Sequence, residues 1–173
     1  VVITFEPRGI SNHPDHIKLT VATTVAFQRY VSDLSKLPQF EELSGTQKRK
    51  LGRIYKASFE ECLALEHEPR LYYACMPESV VEYLLNKKLL PAESFGKPWV
   101  GTPDKLVTTV IDVKRYKTKK IKALLAHRSQ EEDVNRFLSL ASNPLVNNEY
   151  FIFRMSGYTE VYMGNTDRVS NRL

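Results

Sequence analysis

The chain has 173 residues, of which 42% are hydrophobic and 26% are charged, and its formal net charge is +5. This size and composition allow one domain with a packed core and exclude a chain that is disordered throughout. Seven Gly and nine Pro also exclude the collagen-like and low-complexity classes.

Strand-like and helix-like segments alternate along the chain. Short apolar runs predict strands at residues 1–5, 70–76, 105–113 and 149–154. Apolar side chains at helical spacing predict helices at residues 13–30, 79–90, 115–129 and 131–141, with a more polar helix through residues 51–59. We therefore expect an α/β sandwich with a largely parallel sheet, in which ligands bind beyond the carboxyl ends of the strands.

The predicted connection at residues 91–103 is rich in Pro, Gly and aromatic side chains and indicates an irregular loop. We interpret Phe95 and Trp99 in this loop as side chains that pack it onto the domain. An aromatic wall over a bound ligand is the alternative.

The basic residues are concentrated at residues 47–56 and 114–122. Such clusters can bind phosphates, but no zinc-finger spacing, RNP-type pattern or basic heptad accompanies them, which favours solvated helix faces. We therefore expect no nucleic-acid partner. No apolar run approaches the roughly 20 residues of a membrane helix, so no membrane contact is expected. Two cysteines, Cys62 and Cys75, are too few to stabilise a chain of this size by disulfide bonds, which favours a location in the reducing cytoplasm.

Two of the four histidines stand at the predicted start of the first helix. His13 and His16 share one helix face because they are three residues apart, and Asp15 between them can fix an imidazole tautomer. This pattern offers a metal ligand with an acid–base partner. The alternative is a helix-capping turn, Asn12 followed by Pro14 and Asp15, in which the histidines are incidental.

Three separated segments resemble the LmbE-like, or PIG-L, deacetylases. EPRGISNHPDH at residues 6–16 resembles the family's G-x-(S/T)-x-H-P-D-H signature, which follows a strand. TTVIDV at residues 108–113 and ALLAHRSQ at residues 123–130 resemble a second family segment, and EYF at residues 149–151 resembles its closing strand. The matches follow the family's order, whereas residues 36–103 carry no motif.

The resemblance implies a Rossmann-like fold and a zinc-dependent hydrolase that removes N-acetyl groups from N-acetylglucosamine-type substrates. The partner is then a small aminosugar or a glycoconjugate substrate, and Fe²⁺ is an alternative to zinc. A homo-oligomer is a further possible assembly. His16 matches a metal ligand, His13 the group that stabilises the oxyanion or acts as an acid, and Asp15 its support.

Three further residues are weaker candidates. Arg8 either meets an anionic or sugar substrate or projects into solvent. His127 and Gln130 lie near the end of a predicted helix and within the resemblance. They either face the substrate or support the metal's ligands, or His127 merely caps the helix.

One family feature is missing from this sequence. The other two metal ligands and the general base come from an H-P-D-D segment after the family's first strand, and this chain contains none. Because a catalytic zinc takes three protein ligands, we expect residues 1–163 to be the later part of a single deacetylase domain, inactive alone. The first βαβ portion would precede them, and residues 164–173 would form a polar, flexible tail. The alternative is a catalytically silent LmbE-like binding or scaffold module.

The predicted strand at residues 1–5 has the composition of an interior parallel strand. If the first βαβ portion precedes it, exposed apolar surface is expected at this strand, where that portion would pack.

Overall fold

The structure, a computed structural model, describes residues 1–35, 44–46, 69–140, 147–157, 159–161 and 170–171. Strands and helices alternate, which confirms a mixed α/β protein; the predicted helix through residues 51–59 lies outside the described residues. In chain order the elements are β1 (Val2–Phe5), α1 (Gly9–Asn12), α2 (Pro14–Ser35), β2 (Arg70–Cys75), α3 (Glu78–Asn86), β3 (Glu93–Ser94), β4 (Lys97–Pro98), β5 (Thr109–Asp112), α4 (Lys117–Leu125), α5 (Glu131–Leu140), β6 (Asn148–Ser156) and β7 (Thr159–Glu160).

The main sheet has the strand order β1–β2–β6–β5, and β7 pairs with the end of β6. β1 and β2 are parallel, with Thr4 opposite Tyr73. β6 is antiparallel to β2, to β5 and to β7. Among the described strands only the β1–β2 pair is therefore parallel, and the expectation of a largely parallel, Rossmann-like sheet is not confirmed.

The difference arises where the chain enters β6. The connection from β2 to β5 contains α3 and crosses over the sheet, so β5 points the same way as β2. Two helices, α4 and α5, lie between β5 and β6. After them the chain re-enters the sheet at the end it left, with Asn148 opposite Asp112.

One face of the sheet is covered by α2. The side chains of Phe27 and Val31 on this helix pack against Leu71 and Tyr73 of β2 and against Met155 of β6, and all five are buried. Burying such a side chain stabilises the fold by about 1.5–3 kcal/mol. This packing holds α2 on the sheet and so sets the position of its first turn, which carries the candidate site.

Apolar side chains are exposed at the β1 edge of the sheet. β1 lies at the end of the strand order, and its Val2 and Ile3 are exposed, as are Leu19, Val21 and Val25 on α2. Exposed apolar surface at residues 1–5 was expected from the sequence and is present. No helix in the described part of the chain is long and apolar enough to cross a membrane.

Candidate active site

β1 runs into a tight loop that contains the short, distorted α1 and leads directly to α2. The backbone N–H of Glu6 extends the β1–β2 ladder by donating to the Ala74 carbonyl at 3.0 Å. In the loop that follows, Gly9, Ile10 and Asn12 all have positive φ, near +60° to +67°. That conformation is rare for a β-branched residue such as Ile10 and costs on the order of 1–3 kcal/mol. The surrounding contacts must therefore hold the loop in place.

The Glu6 carboxylate supplies those contacts. Its side chain is only 6% exposed, and it accepts the backbone N–H groups of Arg8 at 3.0 Å and of Ile10 at 2.8 Å. The Arg8 Nε atom lies 3.5 Å from Glu6 Oε2, and Arg8 Nη2 donates to the Gly101 carbonyl at 3.0 Å. A buried carboxylate needs such partners because its desolvation is costly. Arg8 is thus engaged within the protein, and Glu6, which was not predicted, organises the loop.

A row of four aromatic rings begins at the end of β1. Phe5 stacks on His16 with ring centroids 4.1 Å apart, and His16 stacks on His13 at 4.7 Å. His13 then meets Phe95 edge-on at 4.6 Å. The i, i+3 spacing of the two histidines therefore places their imidazoles side by side, and two phenylalanines enclose the pair.

The hydrogen bond of His16 defines its tautomer. Its Nδ1 atom lies 3.2 Å from the Gly9 carbonyl oxygen. Because a carbonyl only accepts, Nδ1 carries the proton, and Nε2 of the neutral ring keeps a free lone pair. Metal-binding histidines are commonly held in this way, with the other ring N–H on a carbonyl. Gly9 permits the close approach, since a Cβ there would lie 2.7 Å from the His16 Cβ.

His13 has the opposite tautomer. Its Nδ1 atom accepts the backbone N–H of Asp15 at 3.1 Å, so the proton of the neutral ring is on Nε2. His13 thereby caps the first turn of α2 and still offers an Nε2–H donor. The Asp15 carboxylate is 82% exposed, and its Oδ2 lies 4.0 Å from Nδ1. In this geometry the backbone of Asp15, rather than its carboxylate, sets the tautomer.

Thr20 joins α2 to the end of β1. Its buried hydroxyl lies 3.0 Å from the Phe5 carbonyl and 2.9 Å from the His16 carbonyl, both within hydrogen-bond distance. The helix turn that carries the histidines is therefore fixed to the strand at a second point.

A small hairpin at residues 93–98 lies beside His13. β3 and β4 pair antiparallel, and the two residues between them, Phe95 and Gly96, have φ of +52° and +70°. Two successive positive φ values are typical of a type I′ turn. Asn12 Nδ2 donates to the Pro98 carbonyl at 3.2 Å, which ties the hairpin to the loop after β1. The sequence predicted an irregular loop at residues 91–103 from its Pro, Gly and aromatic content. The hairpin within it was not predicted, because Phe is unusual at a turn position that favours Asn, Asp or Gly.

Among the described residues, the weaker candidates of the second family segment make no contact with the two histidines. His127 precedes a 3₁₀ turn at Arg128–Gln130 and Gln130 is its last residue, and both side chains are exposed. Within the described ranges, no hydrogen bond, ion pair or ring contact joins either of them to His13 or His16.

Cys75 lies near the same end of the sheet as a free, buried thiol. Burial raises its pKa from 9.0 to about 12; the Glu6 carboxylate adds to the rise, and a hydrogen bond with Thr102 opposes it. A thiol with this pKa stays protonated near neutral pH and is not a nucleophile there.

The donor set accounts for only part of a metal site. His16 has the geometry of one zinc ligand, and a catalytic zinc takes three protein ligands. In the portion of the chain that the structure describes, no group of three or more His, Cys, Asp and Glu side chains is arranged to hold a metal ion. These residues therefore fit one corner of a zinc site and do not complete it.

Comparison of the chain with protein-family models, with curated proteins and with solved structures gives no match. A functional proposal therefore depends on the residues and contacts of the site itself.

Proposed function

We propose that this chain is part of an LmbE-like, zinc-dependent hydrolase that removes the N-acetyl group from an N-acetylglucosamine-type substrate. The observation that carries the proposal is the pair of complementary imidazoles at the start of α2. His16 keeps a free Nε2 lone pair that suits a metal, and His13 offers an Nε2–H that suits a developing negative charge. The resemblance of residues 6–16 to the family signature supports the same two roles.

The chemistry that zinc supplies in such a site is activation of a water molecule and polarisation of the amide carbonyl. In our proposal His16 binds the metal through Nε2 while the Gly9 carbonyl holds its Nδ1–H. His13 donates its Nε2–H to the carbonyl oxygen as negative charge develops, or gives that proton to the leaving nitrogen. Phe5 packs on the other face of His16 and keeps its ring from rotating.

Two more protein ligands and a carboxylate base are needed for this reaction. We propose that they come from a segment that precedes Val1, as the resemblance implies, and that residues 1–173 alone are inactive. The β1–β2 pair, which is parallel and separated in sequence by α2, is the described part of the sheet compatible with a Rossmann-like domain. The free thiol of Cys75 is compatible with a cytoplasmic location.

The test compares His16→Ala with His13→Ala in the full-length protein. Zinc content is measured by elemental analysis, and acetate release is measured with an N-acetylglucosamine derivative. His16→Ala should lose zinc and activity together, because one ligand is removed. His13→Ala should keep zinc and lose about 10²- to 10³-fold in rate, because only a hydrogen-bond donor or acid is removed.

The two variants serve as controls for each other, since both replace an imidazole in the same ring row. Full zinc occupancy and full rate in His16→Ala would show that His16 is not a ligand. A wild-type protein that binds a glycoconjugate, holds no zinc and releases no acetate would instead indicate the catalytically silent module.

A further inference from the structure

Phe95 is an exposed aromatic side chain beside the candidate site. It is 59% exposed, although its ring lies 4.6 Å from the ring of His13. A side chain that only packs a loop onto the domain would be buried, so the loop-packing interpretation of Phe95 does not fit its exposure.

The turn itself also disfavours this residue. Phe95 adopts φ of +52°, where a bulky side chain is strained and where Asn, Asp or Gly would be relaxed. Phe95 therefore adds little to the stability of its hairpin, either by its backbone or by burial.

The hairpin is nevertheless held firmly against the site. Asn12 donates to the Pro98 carbonyl on one side of the turn, and Arg8 donates to the Gly101 carbonyl a few residues on. Both donors belong to the loop that also carries the Gly9 carbonyl. The Phe95 ring thus has a fixed position relative to the two imidazoles.

We propose that Phe95 is a specificity-determining residue whose exposed ring stacks on the apolar face of a substrate pyranose. This inference rests on the proposed function and names what holds the sugar. In an N-acetylhexosamine a single C–N bond joins the acetamido group to the sugar ring. A stacking surface for that ring must therefore lie within one side chain's reach of the imidazoles, as Phe95 does. Aromatic rings beside a few polar groups are typical of small-molecule sites.

The experiment uses the full-length, zinc-loaded protein with Phe95→Asn and Phe95→Tyr. Asn suits a positive φ, so Phe95→Asn removes the ring without harming the turn, and its melting temperature should not fall. Lys88→Asn is the matched control, because Lys88 also has a positive φ, +56°, in the turn after α3. Binding of methyl N-acetylglucosaminide and of acetamide is measured by calorimetry, and kcat and KM are measured with the same glycoside.

Phe95→Asn should weaken glycoside binding and raise KM about three- to tenfold, the usual contribution of an aromatic contact. Acetamide binding and kcat should stay within about twofold, Phe95→Tyr should bind like the wild type, and Lys88→Asn should change nothing, since only a ring contact with the sugar is removed. Unchanged glycoside binding in Phe95→Asn, in a protein that still hydrolyses the glycoside, overturns this inference and leaves the proposed function standing. A zinc-loaded wild type that neither binds nor hydrolyses the glycoside overturns both.

Discussion

Replacement of Gly9 by Ala tests whether the conformation of the loop after β1 determines the tautomer of the His16 imidazole. Gly9 has φ of +67°, and an added Cβ would lie 2.7 Å from the His16 Cβ and 3.0 Å from the Ile17 nitrogen. The left-handed conformation costs an L-residue about 1–2 kcal/mol. Relieving the close contact costs about a further 1–3 kcal/mol, as overpacking does elsewhere. We therefore expect Gly9→Ala to lower the free energy of unfolding by about 2–5 kcal/mol.

Gly96→Ala provides the matched control. Gly96 has nearly the same φ, +70°, but nothing lies within 4 Å of the position its Cβ would take. Only the conformational cost applies, so this variant should lose about 1–2 kcal/mol. The difference between the two variants isolates the close contacts with His16 and the Ile17 backbone.

Urea denaturation gives the two free energies, and long-range ¹H–¹⁵N NMR spectra report which ring nitrogen of His16 carries the proton. Gly9→Ala should lose the single Nδ1–H tautomer, because the Gly9 carbonyl must move away from the ring. In the full-length protein its zinc affinity should fall about 10- to 100-fold, as when a partner of a metal-binding histidine is removed. Equal destabilisation by both variants, with the His16 tautomer retained in Gly9→Ala, would refute this coupling.

Three other predictions follow from buried or exposed contacts. Thr20→Val should lower the free energy of unfolding by about 1–3 kcal/mol in urea, because it removes the buried hydroxyl that lies within hydrogen-bond distance of the Phe5 and His16 carbonyls; the exposed Thr118→Val should change it by less than about 0.5 kcal/mol. Asp15→Asn should change kcat less than about threefold, since its carboxylate is 82% exposed and is not hydrogen-bonded to His13; a loss as large as that of His13→Ala would assign the orienting role to the carboxylate. Above pH 9 the thiol of unfolded Cys75 ionises while the folded thiol, with a pKa of about 12, does not. Folding should therefore lose up to about 1.4 kcal/mol per pH unit between those values, and Cys75→Ala, compared in urea, should lack this component.

The parts of the site that were predictable are contiguous in the chain. His13, Asp15 and His16 lie within one helix turn, so helical spacing alone places the two imidazoles together. The start of α2 after a short strand was predictable for the same reason. An apolar run, a loop with Gly9 and a proline in the first helix turn mark it within a few residues.

What the sequence did not predict depends on contacts between distant segments. The burial of Glu6 requires β1 to lie beside β2, and the Phe95 contact with His13 requires residues 93–98 to fold back on the first loop. Strand direction was missed for a different reason. Strand–helix alternation does not show at which end of the sheet the chain re-enters, and after α4 and α5 it re-enters at the end where β5 left, so β6 is antiparallel.

The two imidazole tautomers are set by backbone groups, and this has a consequence for the chemistry. The Gly9 carbonyl fixes His16, and the Asp15 N–H fixes His13. Carbonyl and amide groups do not titrate, so neither assignment depends on the ionisation of a neighbouring carboxylate. The free Nε2 of His16 and the Nε2–H of His13 therefore coexist wherever both rings are neutral. In the proposed hydrolase, the pair would place one metal-binding nitrogen beside one hydrogen-bond donor.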